Sequence, residues 1–287
     1  MNVAAAIAQA FLGACQDELE APKPGNVHVF AGGHGWVAED FRRSAHAAAP
    51  AIARAGAPVG QRILGAVETT HAAIGHNTNL GIALLCAPLA RAAETPALGL
   101  RPALAAVLAG LDVADAEAAF RAIALAAPGG LGRVERHDVR EPADVTLLQA
   151  MAEAAGRDGV ARQYANGYSD VFDLGLPALA AAEARFFRPA WAGASAVFLA
   201  FLAAFPDSHI QRKHGAEAAA DVLAQARRWQ AKLRDCADPN RELEGLLAFD
   251  AALKARGLNP GTSADLTVAT LFARRLTRWH LALAAQQ

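Results

Sequence analysis

Period-two alternation is almost absent from this chain, and strand-favouring residues are scarce, tyrosine occurring only twice. That poverty argues against a sheet of any kind and leaves helices rich in alanine and leucine as the regular structure. Cysteine is equally sparse. Cys15, Cys86 and Cys236 are far apart, odd in number and without paired metal spacing, which excludes a disulfide framework and fits free thiols in a reducing compartment. Neither charge is in excess: 27 Lys and Arg against 28 Asp and Glu leave no global field for nucleic acid or an anionic membrane, so an anionic ligand must be met by a local cluster. The most apolar run, Pro189 to Phe205, falls short of the ~20 residues of a membrane span and holds Gly193 and Ser195, so it reads as a buried central helix. Met1-Asn2-Val3-Ala4 lacks the basic and apolar regions of a signal peptide, and a cytoplasmic location is expected.

Several familiar signatures are missing as well. There is no Gly-x-x-x-x-Gly-Lys-Ser/Thr phosphate loop, and Gly32-Gly33-His34-Gly35 does not meet the dinucleotide fingerprint, which also needs a strand before it. Neither a His-Glu-x-x-His pair nor a Gly-x-Ser-x-Gly elbow occurs. The usual nucleotide and protease scaffolds are thereby set aside.

What is present is a chain of 287 residues, 54% apolar, long enough for a sizeable core. Ile7, Phe11, Cys15 and Leu19 recur every fourth residue and predict a first helix with one buried stripe. Further helices are expected over residues 40–55, 61–74, 79–93, 102–111, 115–126, 143–155, 157–168, 177–186, 189–205, 209–233, 241–256 and 263–284. The breaks carry Pro or Gly, and none is long or polar enough for a domain linker. A single compact all-α domain with a loop-lined central cleft is expected.

Polar residues concentrate in short runs at helix starts. In Pro22-Lys23-Pro24-Gly25-Asn26-Val27-His28 two prolines fix φ and stop the preceding helix, so a stiff loop presents a cation, an amide and an imidazole. His28 and His34 are candidate acids or bases. Asn77-Thr78-Asn79 precedes a helix; one of the three suffices as a cap, and the other side chains suit a phosphate or ribose hydroxyl. In Asn259-Pro260-Gly261-Thr262-Ser263-Ala264-Asp265 a rigid turn enters a helix whose Asp265 is either a cap or a metal or ligand contact. The densest run is Asp207 to Gly215. Here Arg212 and Lys213 suit a polyphosphate, and Asp207 either caps the next helix or ligates a hard cation such as Mg²⁺. His209 and His214, five apart, do not share a helical face and do not form a zinc pair. Among mixed charges in the middle of the chain, which usually mark a solvated face, Asp138 beside His137 is a candidate catalytic group.

Taken together and in order, these segments resemble the triphosphoribosyl-dephospho-CoA synthase family. Pro22-Lys23-Pro24-Gly25 is similar to its Pro-Lys-Pro-Gly signature, Gly33-His34 to its Gly-Ala-His element, Asn77-Thr78-Asn79-Leu80-Gly81 to its Asn-Thr-His-Lys-Gly run, and Asn259 to Leu266 to its Ser-Pro-Gly-Gly-Ser-Ala-Asp-Leu run. The resemblance implies an all-helical enzyme that transfers a triphosphoribosyl unit from ATP to the ribose 2′-hydroxyl of a coenzyme-like acceptor, dephospho-CoA, and releases adenine. It implies binding and metal roles for Lys23, Asn77, Asn79 and Asp265, with Mg²⁺ as cofactor. Gly25, Asn26, Thr78, Asn259 and Ser263 complete the expected nucleotide-binding set, and Asp207 joins Asp265 as a metal ligand. The chain departs from the family pattern at Val27-His28, in place of Val-Asp, at Gly35-Trp36, in place of Asp-Met, and at Asn79, in place of His. These departures look like a distinct branch.

Two rival readings are a metal-dependent N-glycosidic hydrolase, built on Asp138, Asp170, Asp207 and Asp265, and a non-catalytic nucleotide-binding protein of a cofactor-biosynthesis pathway. No nucleic acid or membrane partner is expected, and self-association is compatible with the sequence. Lys23→Ala is expected to abolish turnover while leaving the melting temperature nearly unchanged.

Overall fold

The computed structural model describes residues 2–132 and 136–285. Its helices are α1 (Val3–Leu19), α2 (Ala38–Ile52), α3 (Val59–Ile74), α4 (Leu80–Ala92), α5 (Leu100–Ala109), α6 (Val113–Ala126), α7 (Leu147–Ala154), α8 (Gly159–Ala165), α9 (Leu176–Arg185), α10 (Trp191–Ala204), α11 (Ser208–Asp235), α12 (Leu243–Ala255) and α13 (Gly261–Ala284). Among the described residues there is no strand, only isolated bridges pairing His28 with Ala31 and Gly33 with Trp36. The fold is all-α.

Each expected helix has an observed counterpart, and the boundaries move for local reasons. The expected helix over 143–155 starts only at Leu147, because Thr146 and Gln149 form a reciprocal capping box. The one over 157–168 stops at Ala165, where Gly167 and Tyr168 take left-handed φ values of 64° and 61°, and a π-helical turn, Asp170–Gly175, then leads into α9. Continuous helix was expected through residue 215, yet α11 is broken at Gly215 (φ 89°, ψ 170°), so Ser208 to His214 form a short arm of their own.

The chain divides into two compact units. The first takes residues up to Ala14, Phe41–Tyr168 and from Phe272 on; the second takes Cys15–Asp40 and Ser169–Leu271.

In the first unit α3 packs on α4 and α6, and α7 on α8. Gly60 permits the α3–α6 approach: its N–H donates to Asp115 Oδ1 at 2.7 Å, and a Cβ there would lie 2.5 Å from the Asp115 carbonyl oxygen. Pro88 inside α4 has no N–H, which leaves the carbonyl of Leu84 without its intrahelical donor. The buried Tyr164 supplies one, its hydroxyl donating to Leu84 O at 2.6 Å. A fully buried guanidinium, Arg62, is neutralised by Glu94 and donates to the carbonyls of Ile52 and Ala57.

In the second unit α10 is the central helix, packed by α9 and α11, with Val197, Phe198, Leu199 and Leu202 wholly buried. This is the buried core helix expected from Pro189 to Phe205. Among the described residues no single helix is long and apolar enough to cross a membrane.

Candidate active site

The second unit carries the proline loop. Its start is fastened to α10, where Ser195 Oγ donates to the Pro22 carbonyl at 2.8 Å. Lys23 turns inward and is fully buried: Nζ lies 3.1 Å from Glu18 Oε1 and donates to Val27 O at 2.6 Å. Burial lowers the pKa of Lys23 against the pull of Glu18, and burial raises that of Glu18 against the pull of Lys23. The expectation that Lys23→Ala spares stability is therefore corrected: the substitution strands Glu18 as an uncompensated buried carboxylate.

Gly25 follows with φ 85°, where a Cβ would come within 2.7 Å of Leu258 O and of Pro260 Cδ. That close approach brings the first and last motifs together. Asn26 Nδ2 donates to Asn259 Oδ1 at 2.8 Å, and Gly25 N–H donates to Asp250 Oδ1 at 2.8 Å. His28 is buried; its Nδ1 accepts from Ala31 N–H at 3.2 Å and its Nε2 lies 3.3 Å from Asp250 Oδ1. His34 is exposed, with φ 56°, and its Nε2 lies 2.8 Å from the Gly25 carbonyl. A carbonyl only accepts, so His34 Nε2 carries the proton and Nδ1 is left as an acceptor.

Asp207 joins the starts of α11 and α13. Its Oδ1 accepts from the N–H groups of His209 and Ile210, at 3.0 and 3.2 Å, and its Oδ2 from Ser263 N–H and Oγ, both at 2.8 Å. Burial raises its pKa in spite of these four donors. Of the two roles expected for Asp207, cap and metal ligand, these bonds are those of a cap, shared by two helices, and Ser263 is one of the groups it binds. Asp265, half-buried, stands one turn into α13.

His209 packs its ring on Gly261, where a Cβ would overlap Nδ1. Burial, followed by the positive charges of Lys213, Arg212, His34 and His214, pushes its pKa down to about 3. His209 is thus neutral in a cationic group. Arg212 is half-buried and Lys213 exposed; burial and then the neighbouring Arg212 lower the pKa of Lys213.

The Asn segment belongs to the first unit. There Asn77 Oδ1 accepts from Asn79 N–H (3.2 Å) and Leu80 N–H (3.0 Å), so its side chain covers the start of α4, where Asn79 holds the cap position. Buried Asn79 donates from Nδ2 to Thr70 Oγ1 at 2.9 Å, and the hydroxyls of Thr78 and Ser44 meet at 2.5 Å. Asp138, also in the first unit, accepts from Arg140, both from its N–H at 3.0 Å and from its guanidinium at 3.1 Å. Among the described residues no group of three or more His, Cys, Asp or Glu side chains is arranged to hold a metal ion.

Sequence reasoning missed Glu18, Ser195, Asp250 and Lys254. The legible hint was Asp250 itself, a carboxylate between the apolar Phe249 and Leu253 on the buried face of α12.

The profile of the ATP:dephospho-CoA triphosphoribosyl transferase family matches residues 4–282, nearly the whole chain. The chain belongs to this family. It is a transferase that moves a triphosphoribosyl unit from ATP to dephospho-CoA, and by mass balance adenine is the other product. A crystal structure described as that of a triphosphoribosyl-dephospho-CoA synthase from Archaeoglobus fulgidus shares its helical fold, with a TM-score of 0.64 and 23% identity over 82% of this chain and 98% of that one. No curated protein matches the chain. The hydrolase and the non-catalytic readings are not favoured.

Proposed function

We propose that the transferase binds the triphosphate of ATP at the cationic group of the second unit, with Arg212 and Lys213 as its charge partners. The observation that carries this reading is the pair of cations Arg212 and Lys213 beside His209, whose ring packs on Gly261 next to the turn formed by Gly25, Asn26 and Asn259. In a chain without global positive charge, this is a local field suited to a polyanion. Arg offers a fork for two phosphate oxygens and Lys a point charge.

The reaction breaks the bond from the anomeric carbon to adenine and forms one to the acceptor's 2′-oxygen. Adenine departs with the bonding electrons and is protonated, while the attacking hydroxyl loses its proton. On this reading His34, with Nε2 bound to the Gly25 carbonyl and Nδ1 as acceptor, takes that proton, and His28, whose two nitrogens face Ala31 and Asp250, supports the loop instead. Mg²⁺, when bound, neutralises triphosphate charge. It commonly takes one or two carboxylates together with substrate phosphates, which suits a site without a closed protein cage, and Asp265, one turn into α13, would be the carboxylate to hold it. A cytoplasmic location accords with this reading.

The test measures adenine release from ATP with dephospho-CoA as acceptor. Exchanging both Arg212 and Lys213 for Ala should raise KM for ATP about 10- to 100-fold, the loss expected of charge-assisted contacts. An unchanged KM refutes the placement of the triphosphate.

A further inference from the structure

Asp250 is the residue on which the proline loop hangs, although neither motif nor family match singles it out. Its Oδ1 accepts from Gly25 N–H at 2.8 Å and lies 3.3 Å from His28 Nε2. Its Oδ2 accepts from Lys254 Nζ at 2.8 Å, and the same ammonium donates to Ala31 O at 3.1 Å. Both ends of the turn that carries Asn26 and His28 are thus tied to α12 by one carboxylate and its lysine. His34 in turn binds the Gly25 carbonyl, and Asn26 holds Asn259. A carboxylate only 2% exposed between Phe249 and Leu253 is costly to bury unless donors converge on it, and here two do, Gly25 N–H and Lys254 Nζ, with the His28 ring 3.3 Å away. Phenylalanine or leucine would fill this helix face at less cost in desolvation, so the acid is explained by what it holds.

We propose that Asp250 is a positioning residue of the transfer reaction, fixing through Gly25, His28 and Lys254 the loop that sets Asn26 and His34. Lys254 is its partner in that role. The inference rests on the placement of the active centre in the second unit, and the test separates the two ideas.

Asp250→Asn keeps the shape and an acceptor for Gly25 but releases Lys254. A misplaced catalytic group loses rate rather than affinity, so kcat for adenine release should fall about 100-fold while KM for ATP stays within about threefold. Asp250→Glu should recover part of the rate, and side-chain NMR of His28 and His34 should show both rings displaced in Asp250→Asn. If rings and rate are both unchanged, Asp250 has no positioning role and the proposal falls. Should the rings move while the rate holds, the active centre lies elsewhere, and the proposal falls with the reading beneath it. Should Asp250→Asn fail to fold, Lys254→Met decides: it leaves the Gly25 bond in place and frees Ala31, so kcat should drop about tenfold in a folded protein. An unchanged kcat in that variant overturns the inference.

Discussion

His209 is one side chain through which acid acts on this protein. Its pKa is about 3 in the folded chain, against roughly 6.5 when unfolded. Between those values the unfolded state binds a proton that the folded state refuses, so this group makes stability rise with pH across the window and fall as pH drops from about 6.5 toward 3. The slope is at most about 1.4 kcal/mol per pH unit, and less after allowance for partial exposure. His209→Gln should flatten the pH dependence of the urea midpoint over that window relative to the parent. Asp250 acts in the same direction at lower pH. Burial alone would raise it, but the hydrogen bonds and charges of His28 and Lys254 hold it below the ordinary carboxylate range. Its contribution is present above an unfolded value of about 3.9 and is lost as pH falls through the lower folded one. Lys23 supplies the third test. Lys23→Ala should destabilise by about 3–5 kcal/mol in urea unfolding, and adding Glu18→Gln should recover much of that loss, because the damage is the stranded carboxylate.

Helices α4 and α8 depend on each other through a single missing hydrogen. Pro88 deprives Leu84 O of its intrahelical donor, and Tyr164 replaces it. Tyr164→Phe should therefore cost about 1–3 kcal/mol in the wild-type background. With Pro88→Ala, which restores the backbone N–H, the cost should shrink, and a double-mutant cycle on melting curves measures the coupling. Between α3 and α6 the constraint is space. Gly60→Ala should lower stability by about 1–3 kcal/mol by driving the helices apart at Asp115. The break of α11 at Gly215 has a different consequence. It releases Ser208 to His214 from the line of the long helix, so that Arg212 and Lys213 stand with His34 around His209.

For the molecule as a whole, family membership gives the reaction, and the second unit's loops give the proposed place for it. Chelating divalent ions should suppress adenine release, with added Mg²⁺ restoring it, as expected when triphosphate charge must be neutralised. Much of this organisation was legible beforehand. The buried run from Pro189 to Phe205 was plain from its composition, and Pro22 to His28 could be read as a rigid loop because proline and glycine restrict φ whatever surrounds them. The fate of Lys23 and Asp207 was not legible. A lysine in a loop and an aspartate before a helix look the same in sequence whether they face solvent, ligand or another carboxylate. Asp250 and Lys254 were hidden for a related reason, since an acid four residues before a base on a helix ordinarily marks an exposed pair.

By itself the sequence determined where helices run and where they stop, because propensity, periodicity and the φ limits of proline and glycine act within a few residues of one another. Tertiary structure alone decided which polar groups are buried and what answers them. Gly25 meets Asp250 across 225 positions of chain, and Asn26 meets Asn259 across 233. Bonds of that span follow from the packing of whole helices, in which a buried charge or amide must find a partner wherever the fold brings one.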